Sequence, residues 1–305
     1  MNLSLLGVSL AALQQLRQGP AMLARLAPPL FVLIWATGFI VARIVAPHAE
    51  PLTFLLLRYL LALLVLGGIV LAVRAPLPRS GREWGQAMVA GVLLHGFYLG
   101  GVFWAVKHGL PAGISALVAG LQPLVTAALA VPLLGERVSA RRWAGILTGL
   151  AGASLVIAPK IGDGGVPPLA LSVCFFGMLS ITLGTIWQKR TGNTLDLRVN
   201  AMVQYVGAAL VTLPLVLLLE EGHIAFTPPL LGAMAWAVLG LSVGAIGLLL
   251  YLIRQGAVVG VATLLYLVPP VAALMAFVLF GETLNGVQMI GMALAALGVA
   301  VASRN

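Results

Sequence analysis

Long apolar runs, separated by short charged or Pro/Gly-rich breaks, follow one another along almost the entire sequence. A hydrocarbon core about 30 Å thick needs roughly 20 apolar residues for each crossing helix. Only 8% of the 305 residues are charged and 61% are hydrophobic, whereas soluble domains have about 25% charged residues. This composition excludes soluble domains and a disordered chain. The runs do not alternate polar and apolar residues as barrel strands do, so the sequence favours helices over an outer-membrane barrel. We therefore predict an all-α integral membrane protein.

The breaks divide the chain into ten predicted transmembrane helices. They cover residues 28–46, 52–73, 85–106, 111–134, 141–158, 166–187, 197–219, 229–252, 257–280 and 284–303. Residues 1–27 are not counted as a span. Their apolar stretch precedes Arg17 and Arg25, the reverse of the order in a signal peptide. We interpret 1–27 as an amphipathic or poorly ordered cytoplasmic extension.

The distribution of basic residues predicts the orientation. With the N-terminus in the cytoplasm, outside loops contain only Lys107 and Lys160, and Arg43 and Arg58 lie within spans. The remaining 13 of the 17 Lys and Arg residues then lie in cytoplasmic segments or at the cytoplasmic ends of spans. Cytoplasmic loops of membrane proteins are enriched in Lys and Arg, so both termini are predicted to be cytoplasmic.

A repeated pattern relates the two halves, 28–158 and 166–303. Gly109, Gly113 and Pro123 recur 147 residues later, and the pair Gly135-Glu136 recurs after 146 residues as Gly281-Glu282. The dipeptide at 58–59 likewise aligns with that at 204–205. Each half has five predicted helices, and an odd number turns the second copy upside down in the membrane. Inverted repeats place a substrate site near the midplane, at their interface, and open it by alternating access.

Several segments resemble one known family. They are WATGF at 35–39, FLLLR at 54–58, LGERV at 134–138, WAG at 143–145 and FGETL at 280–284. They resemble the drug/metabolite transporter superfamily, EamA type, and the chain looks most similar to YddG-type amino-acid exporters. The resemblance implies ten transmembrane helices as two inverted five-helix repeats in a bacterial-type inner membrane. It also implies export of amino acids, with aromatic and other neutral ones as candidates, and of related small metabolites.

The sequence argues against several other function classes. The net charge of +9 is explained by cytoplasmic loops, and no dense basic run indicates nucleic-acid binding. The single Cys174 excludes an internal disulfide and a multi-cysteine metal site, and no phosphate-binding loop indicates ATP hydrolysis. No catalytic constellation is found, so we predict no enzyme activity, no cofactor and no metal. A multidrug or other metabolite exporter of the same fold is the alternative, and a membrane-embedded enzyme is a weaker one.

Two ionisable residues inside spans are functional candidates. Arg58 lies in helix 2, where it either serves gating or clamps the structure by reaching helix-end carbonyls. His95 lies near the middle of helix 3 beside Tyr98 and titrates near physiological pH. It either lines a cavity, with possible proton coupling, or is satisfied by a neighbouring carbonyl. All eight acidic residues fall in loops or at span ends, so no relay carboxylate is predicted.

The predicted site is a central cavity between helices 1, 3, 4, 6, 8 and 9. Its lining residues are Trp35, His95, Tyr98, Gln122, Pro123, Met178, Thr182, Tyr205, Tyr251, Tyr266 and Pro270. Proline near the centre of helices 4 and 9 frees a carbonyl and favours a kink that lines the cavity. Glu136 and Glu282 are predicted to brace the turns before helices 5 and 10. These Gly-rich helices suit packing or a homodimer contact, so either a monomer or a homodimer is expected. A small molecule and membrane lipid are the expected partners.

Overall fold

The computed structural model describes residues 10–134, 139–162, 166–192, 195–245, 247–248, 251, 267–283 and 285–303. These ranges are dominated by α-helices. The helices are α1 (Leu10–Val45), α2 (Pro51–Ala72), α3 (Gly81–Gly91), α4 (Tyr98–Lys107), α5 (Ala112–Gly120), α6 (Gln122–Leu134), α7 (Ala140–Gly162), α8 (Pro168–Thr191), α9 (Leu197–Leu219), α10 (Pro228–Trp236), α11 (Val268–Phe280) and α12 (Gly286–Ser303). Two π-helical segments, π1 (Val92–Phe97) and π2 (Ala237–Gly244), follow α3 and α10.

Five helical stretches are long and apolar enough to cross a membrane, judged by length and composition. They are Leu26–Val45, Pro51–Ala72, Gly81–Lys107, Pro168–Thr191 and Leu197–Leu219. Five shorter apolar helices are Ala112–Thr126, Trp143–Val156, Pro228–Gly244, Val268–Phe280 and Gly286–Gly298. The prediction of an all-helical chain with many apolar helices is confirmed for the described residues, and each predicted span overlaps one of these stretches.

The structure differs from the predicted spans in four places. One is π2, which lies within the eighth span. Helix α1 already includes Leu10, so part of the predicted N-terminal extension is helical and continuous with the first span. The third span is interrupted by π1, which periodicity does not predict. The fourth span breaks at Leu121, directly before Gln122 and Pro123, because proline cannot donate the hydrogen bond that would continue the helix.

Three pairs of helices run antiparallel. The backbone N–H groups of Leu52 and Thr53, at the start of α2, donate to the Glu220 carboxylate at the end of α9, at 2.9 and 2.7 Å. The start of α5 is bound in the same way by Glu282, which follows the end of α11. In α7 and α12, Gly152 lies against Gly291 and the earlier Gly149 lies against the later Gly298.

Glycine allows these helices to approach closely. A Cβ atom on Gly298 would lie 2.2 Å from the Gly149 nitrogen, and one on Gly152 would lie 2.4 Å from the Ala295 nitrogen. Such small-residue faces let helix backbones touch in a membrane. Gly149, Gly152, Gly291 and Gly298 therefore pack α7 against α12 within the chain.

Glycines also allow α3 to approach α9 closely. A Cβ on Gly91 would lie 1.9 Å from the backbone oxygen of Gln204, and one on Gly207 would lie 2.3 Å from that of Met88. Because Gly91 precedes His95 by one helical turn, the close contact brings π1 against α9. This contact brings His95 of π1 next to Gln204 of α9.

Candidate functional site

His95 lies in π1 among polar and aromatic groups from three helical stretches. Its Nε2 atom is 3.2 Å from Oε1 of Gln204, and its ring stacks on Tyr205 with centroids 4.7 Å apart. The Tyr59 hydroxyl donates to the His95 carbonyl at 2.8 Å, and the Tyr59 ring lies 5.7 Å from the Tyr205 ring. The i→i+5 pattern of a π-helix disturbs the normal backbone ladder and is frequent at functional sites.

Arg58, next to Tyr59 on α2, is 5% exposed. One guanidinium nitrogen, Nη2, lies 3.4 Å from the Ser242 hydroxyl in π2. Ser242 in turn donates to the Ala237 carbonyl at 3.0 Å, five residues earlier. The Nε atom of Arg58 is buried without a hydrogen-bond partner among the described residues.

These residues form what we call the central cluster: Arg58, Tyr59, His95, Gln204, Tyr205 and Ser242. Its two polar contacts correspond to each other through the predicted repeat, because Gln204 follows Arg58 by 146 residues and Ser242 follows His95 by 147. Arg58 of α2 contacts π2, while Gln204 of α9 contacts π1. Arg58 and Gln204 each lie seven residues, about 10 Å, into antiparallel helices.

The structure groups the other predicted site residues separately. Trp35 and Tyr251 both pack against the buried Ala27 and Phe31, and the Tyr251 hydroxyl is buried without a described partner. Gln122 donates from Nε2 to Thr185 at 3.2 Å and to Thr126 at 3.3 Å. These groups are polar but do not join the central cluster through any described contact.

Three further predicted residues lie in α8 or against it: Met178, Thr182 and Tyr98. Thr182 is buried and donates to the Met178 carbonyl one turn earlier, at 2.9 Å. Tyr98 is also buried, and its backbone oxygen faces Gly177 of α8. The His95 side chain thus contacts α9, whereas the Tyr98 backbone contacts α8.

Of the predicted prolines, Pro270 lies near the break between α5 and α6. An apolar cleft between the α5–α6 break and α11 is lined by Gly120, Leu121, Pro269 and Pro270. A Cβ on Gly120 would lie 2.5 Å from the Pro269 ring. Pro123 follows the break at the second position of α6.

Tyr266 and Glu136 lie outside the described residues. The prediction that Glu282 braces the turn before its own following helix is wrong. Its carboxylate accepts the backbone N–H groups of Ala112 and Gly113, at 3.1 and 3.2 Å, at the start of α5. Arg43 lies 3.9 Å from the same carboxylate. The reason is that Gly281 ends α11 in the left-handed conformation, φ 68°, and the chain turns toward α5.

We expect Glu282→Ala to lower the melting temperature of the detergent-purified protein. Loss of a capping carboxylate costs about 0.5–2 kcal/mol of stability, because the first N–H groups of a helix lose their acceptor. Glu221→Ala is the control, since Glu221 is exposed at the same end and contacts Glu50 through its backbone N–H. Equal melting temperatures for the two variants would contradict the capping role.

Sequence reasoning left Tyr59, Gln204 and Ser242 out of the site. The aligned dipeptides at 58–59 and 204–205 were the available signal, because a repeated polar–aromatic pair inside two spans is unusual. The expected cavity of helices 1, 3, 4, 6, 8 and 9 also omits helices 2 and 7. Both contribute to the central cluster, as α2 and α9.

Similarity to known proteins extends over most of the chain. It is 29% identical over 280 residues to a probable amino-acid metabolite efflux pump of Salmonella typhimurium, covering 88% of this chain and 91% of that protein. It is 30% identical over 271 residues to the uncharacterized inner membrane transporter YedA of Escherichia coli, covering 88% and 85%. A probable terminal-alkyne amino-acid exporter of Streptantibioticus cattleyicolor is 29% identical over 203 residues, covering 66% and 67%.

A solved crystal structure has the same fold, with a TM-score of 0.62 at 22% identity, over 92% of this chain and 96% of that one. The model of the EamA-like transporter family matches twice, at residues 27–158 and 168–304. The resemblance stated from the sequence motifs is thereby confirmed at the level of the family. The chain belongs to the EamA-like transporter family and is a membrane transporter rather than an enzyme.

Proposed function

We propose that this protein exports amino acids and related small metabolites from the cytoplasm by alternating access between two inverted five-helix repeats. The observation that carries the proposal is the pair of corresponding contacts in the central cluster. Arg58 to Ser242 and Gln204 to His95 each join one half of the chain to the other. A transport site near the midplane, between inverted repeats, is the arrangement expected of a secondary transporter.

The antiparallel helix pairs support the inverted repeat. Helices α2 and α9, α5 and α11, and α7 and α12 occupy corresponding positions in the two halves, and each pair runs in opposite directions. Two copies of one unit, related by a twofold axis in the membrane plane, produce this relation. The proposal therefore includes ten transmembrane helices with both termini cytoplasmic.

The substrate class is supported by the relatives. Two of them bear names that specify efflux or export of amino-acid compounds, and a third is named an inner membrane transporter. We place this protein in a bacterial-type inner membrane on the same basis. The central cluster provides hydrogen-bonding and charged groups suited to a small zwitterion.

Downhill transport is sufficient for export from a cell that holds a high internal concentration of substrate. The six described acidic residues lie in loops or at helix ends: Glu50, Glu83, Asp196, Glu220, Glu221 and Glu282. A proton or sodium relay normally uses a carboxylate within the membrane. We therefore propose facilitated diffusion without a carboxylate relay.

Counterflow in proteoliposomes tests the proposal. Vesicles containing purified protein and loaded with unlabelled leucine, phenylalanine or threonine are expected to take up the labelled amino acid transiently, unlike protein-free vesicles. An uncoupler should leave this exchange intact, and an imposed pH step should produce no accumulation. Absence of counterflow with every amino acid tested, alongside exchange of a drug or another metabolite, would favour the alternative exporter function.

A further inference from the structure

Arg58 is a buried cation whose charge is balanced by no carboxylate among the described residues. Arg58 is 5% exposed, and its guanidinium has five N–H donors. One contact, at 3.4 Å to Ser242, is long, and Nε is buried without a described partner. A guanidinium keeps its charge at any physiological pH, and a buried charge without a counter-ion is costly.

The described acidic residues are engaged elsewhere or remote. Glu50, Glu220 and Glu282 accept backbone N–H groups in the loops and at the helix starts of one end of the molecule. Glu83 caps α3, Asp196 pairs with Arg198 at 2.7 Å, and Glu221 is exposed in the loop after α9. No described carboxylate lies within ion-pair distance of Arg58. The other two acidic residues, Glu136 and Asp163, lie outside the described residues and belong to predicted loops.

The neighbouring polar groups are neutral, so none of them supplies a negative charge to compensate the guanidinium. The Ser242 hydroxyl donates to a backbone carbonyl of π2, and the Tyr59 hydroxyl donates to the His95 carbonyl. At the corresponding position of the second half stands Gln204, which is neutral and lies within hydrogen-bond distance of His95. Within the central cluster, the permanent positive charge therefore lies only on the Arg58 side.

We propose that Arg58 binds the carboxylate of the transported amino acid when the contact between α2 and π2 opens during the transport cycle. The planar fork of a guanidinium matches a carboxylate with two parallel hydrogen bonds, which are stronger than bonds between neutral groups. This inference rests on the proposed function, since it identifies the group that recognises the substrate. In this role Arg58 selects substrates with a carboxylate over analogues without one. Its counterpart in the second half, Gln204, is neutral and lacks this specificity.

The test compares leucine with leucinamide, which keeps the side chain and amino group but lacks the carboxylate. In counterflow with the wild-type protein, leucine is expected to exceed leucinamide by about tenfold or more, as loss of one charge-assisted contact implies. In Arg58→Gln the ratio should fall to about one, and in Arg58→Lys an intermediate preference should remain. Arg190→Gln is the control, because it removes the same charge from an exposed position at the end of α8.

The outcomes separate this inference from the proposed function. Leucine counterflow with an unchanged leucine-to-leucinamide ratio in Arg58→Gln would overturn the role of Arg58 and leave amino-acid export standing. Equal transport of leucine and leucinamide by the wild type would also overturn the role of Arg58. This measurement does not depend on whether the variants fold. Failure of the wild type to exchange any amino acid would overturn both proposals.

Discussion

Gly91→Ala is expected to abolish most transport and to lower the melting temperature sharply. The new Cβ would be 1.9 Å from the backbone oxygen of Gln204, a distance that no real contact allows. Because the obstacle is backbone rather than a flexible side chain, α3 and α9 must separate. Overpacking of this kind costs about 1–3 kcal/mol. Separation would also pull His95 away from Gln204 and Tyr205, so counterflow should be lost in the protein that still folds.

Gly85→Ala is the matched control. Gly85 lies in the same helix, and nothing lies within 4 Å of its Cβ position. Alanine is preferred over glycine in helices by about 0.5–1 kcal/mol, so this variant should be as stable as the wild type or slightly more stable. If both variants melted and transported alike, the close approach of α3 and α9 would be refuted.

His95→Ala is expected to reduce amino-acid counterflow by about tenfold or more. The substitution removes the ring that stacks on Tyr205 and leaves Oε1 of Gln204 without its partner. A buried polar group left unsatisfied costs about 1–3 kcal/mol, and about 1.4 kcal/mol corresponds to a factor of ten. The melting temperature should fall too, because the same contact joins π1 to α9.

Two further variants separate these effects. His108→Ala removes an exposed histidine that stacks on Trp104 at the end of α4, and it should transport normally. His95→Gln keeps a donor for Gln204 and should recover the melting temperature. Accumulation driven by a pH gradient in the wild type, abolished in His95→Gln, would contradict facilitated diffusion and make His95 a proton carrier.

The class of protein and the approximate helices were accessible from the sequence. Their origin is physical, since the bilayer requires about twenty apolar residues for each crossing and a polar break between crossings. Helix α9 has the bounds predicted for the seventh span, 197–219. The interruption next to Pro123 was also predictable, because a proline ring removes a backbone donor wherever it stands. The family followed from local motifs, which need no tertiary contact to be recognised.

The tertiary structure decided which residues meet. Pattern and propensity do not distinguish a π-helical segment from ordinary helix, so π1 and π2 and the environment of His95 were not predictable. The partner of Glu282 depends on where the chain turns after Gly281, and it is the start of α5. The sequence alone determined that Arg58 lies inside a span. Only the packing of α2 against π2 determined that its charge is buried beside Ser242 without a described carboxylate, because burial and pairing are properties of neighbouring helices.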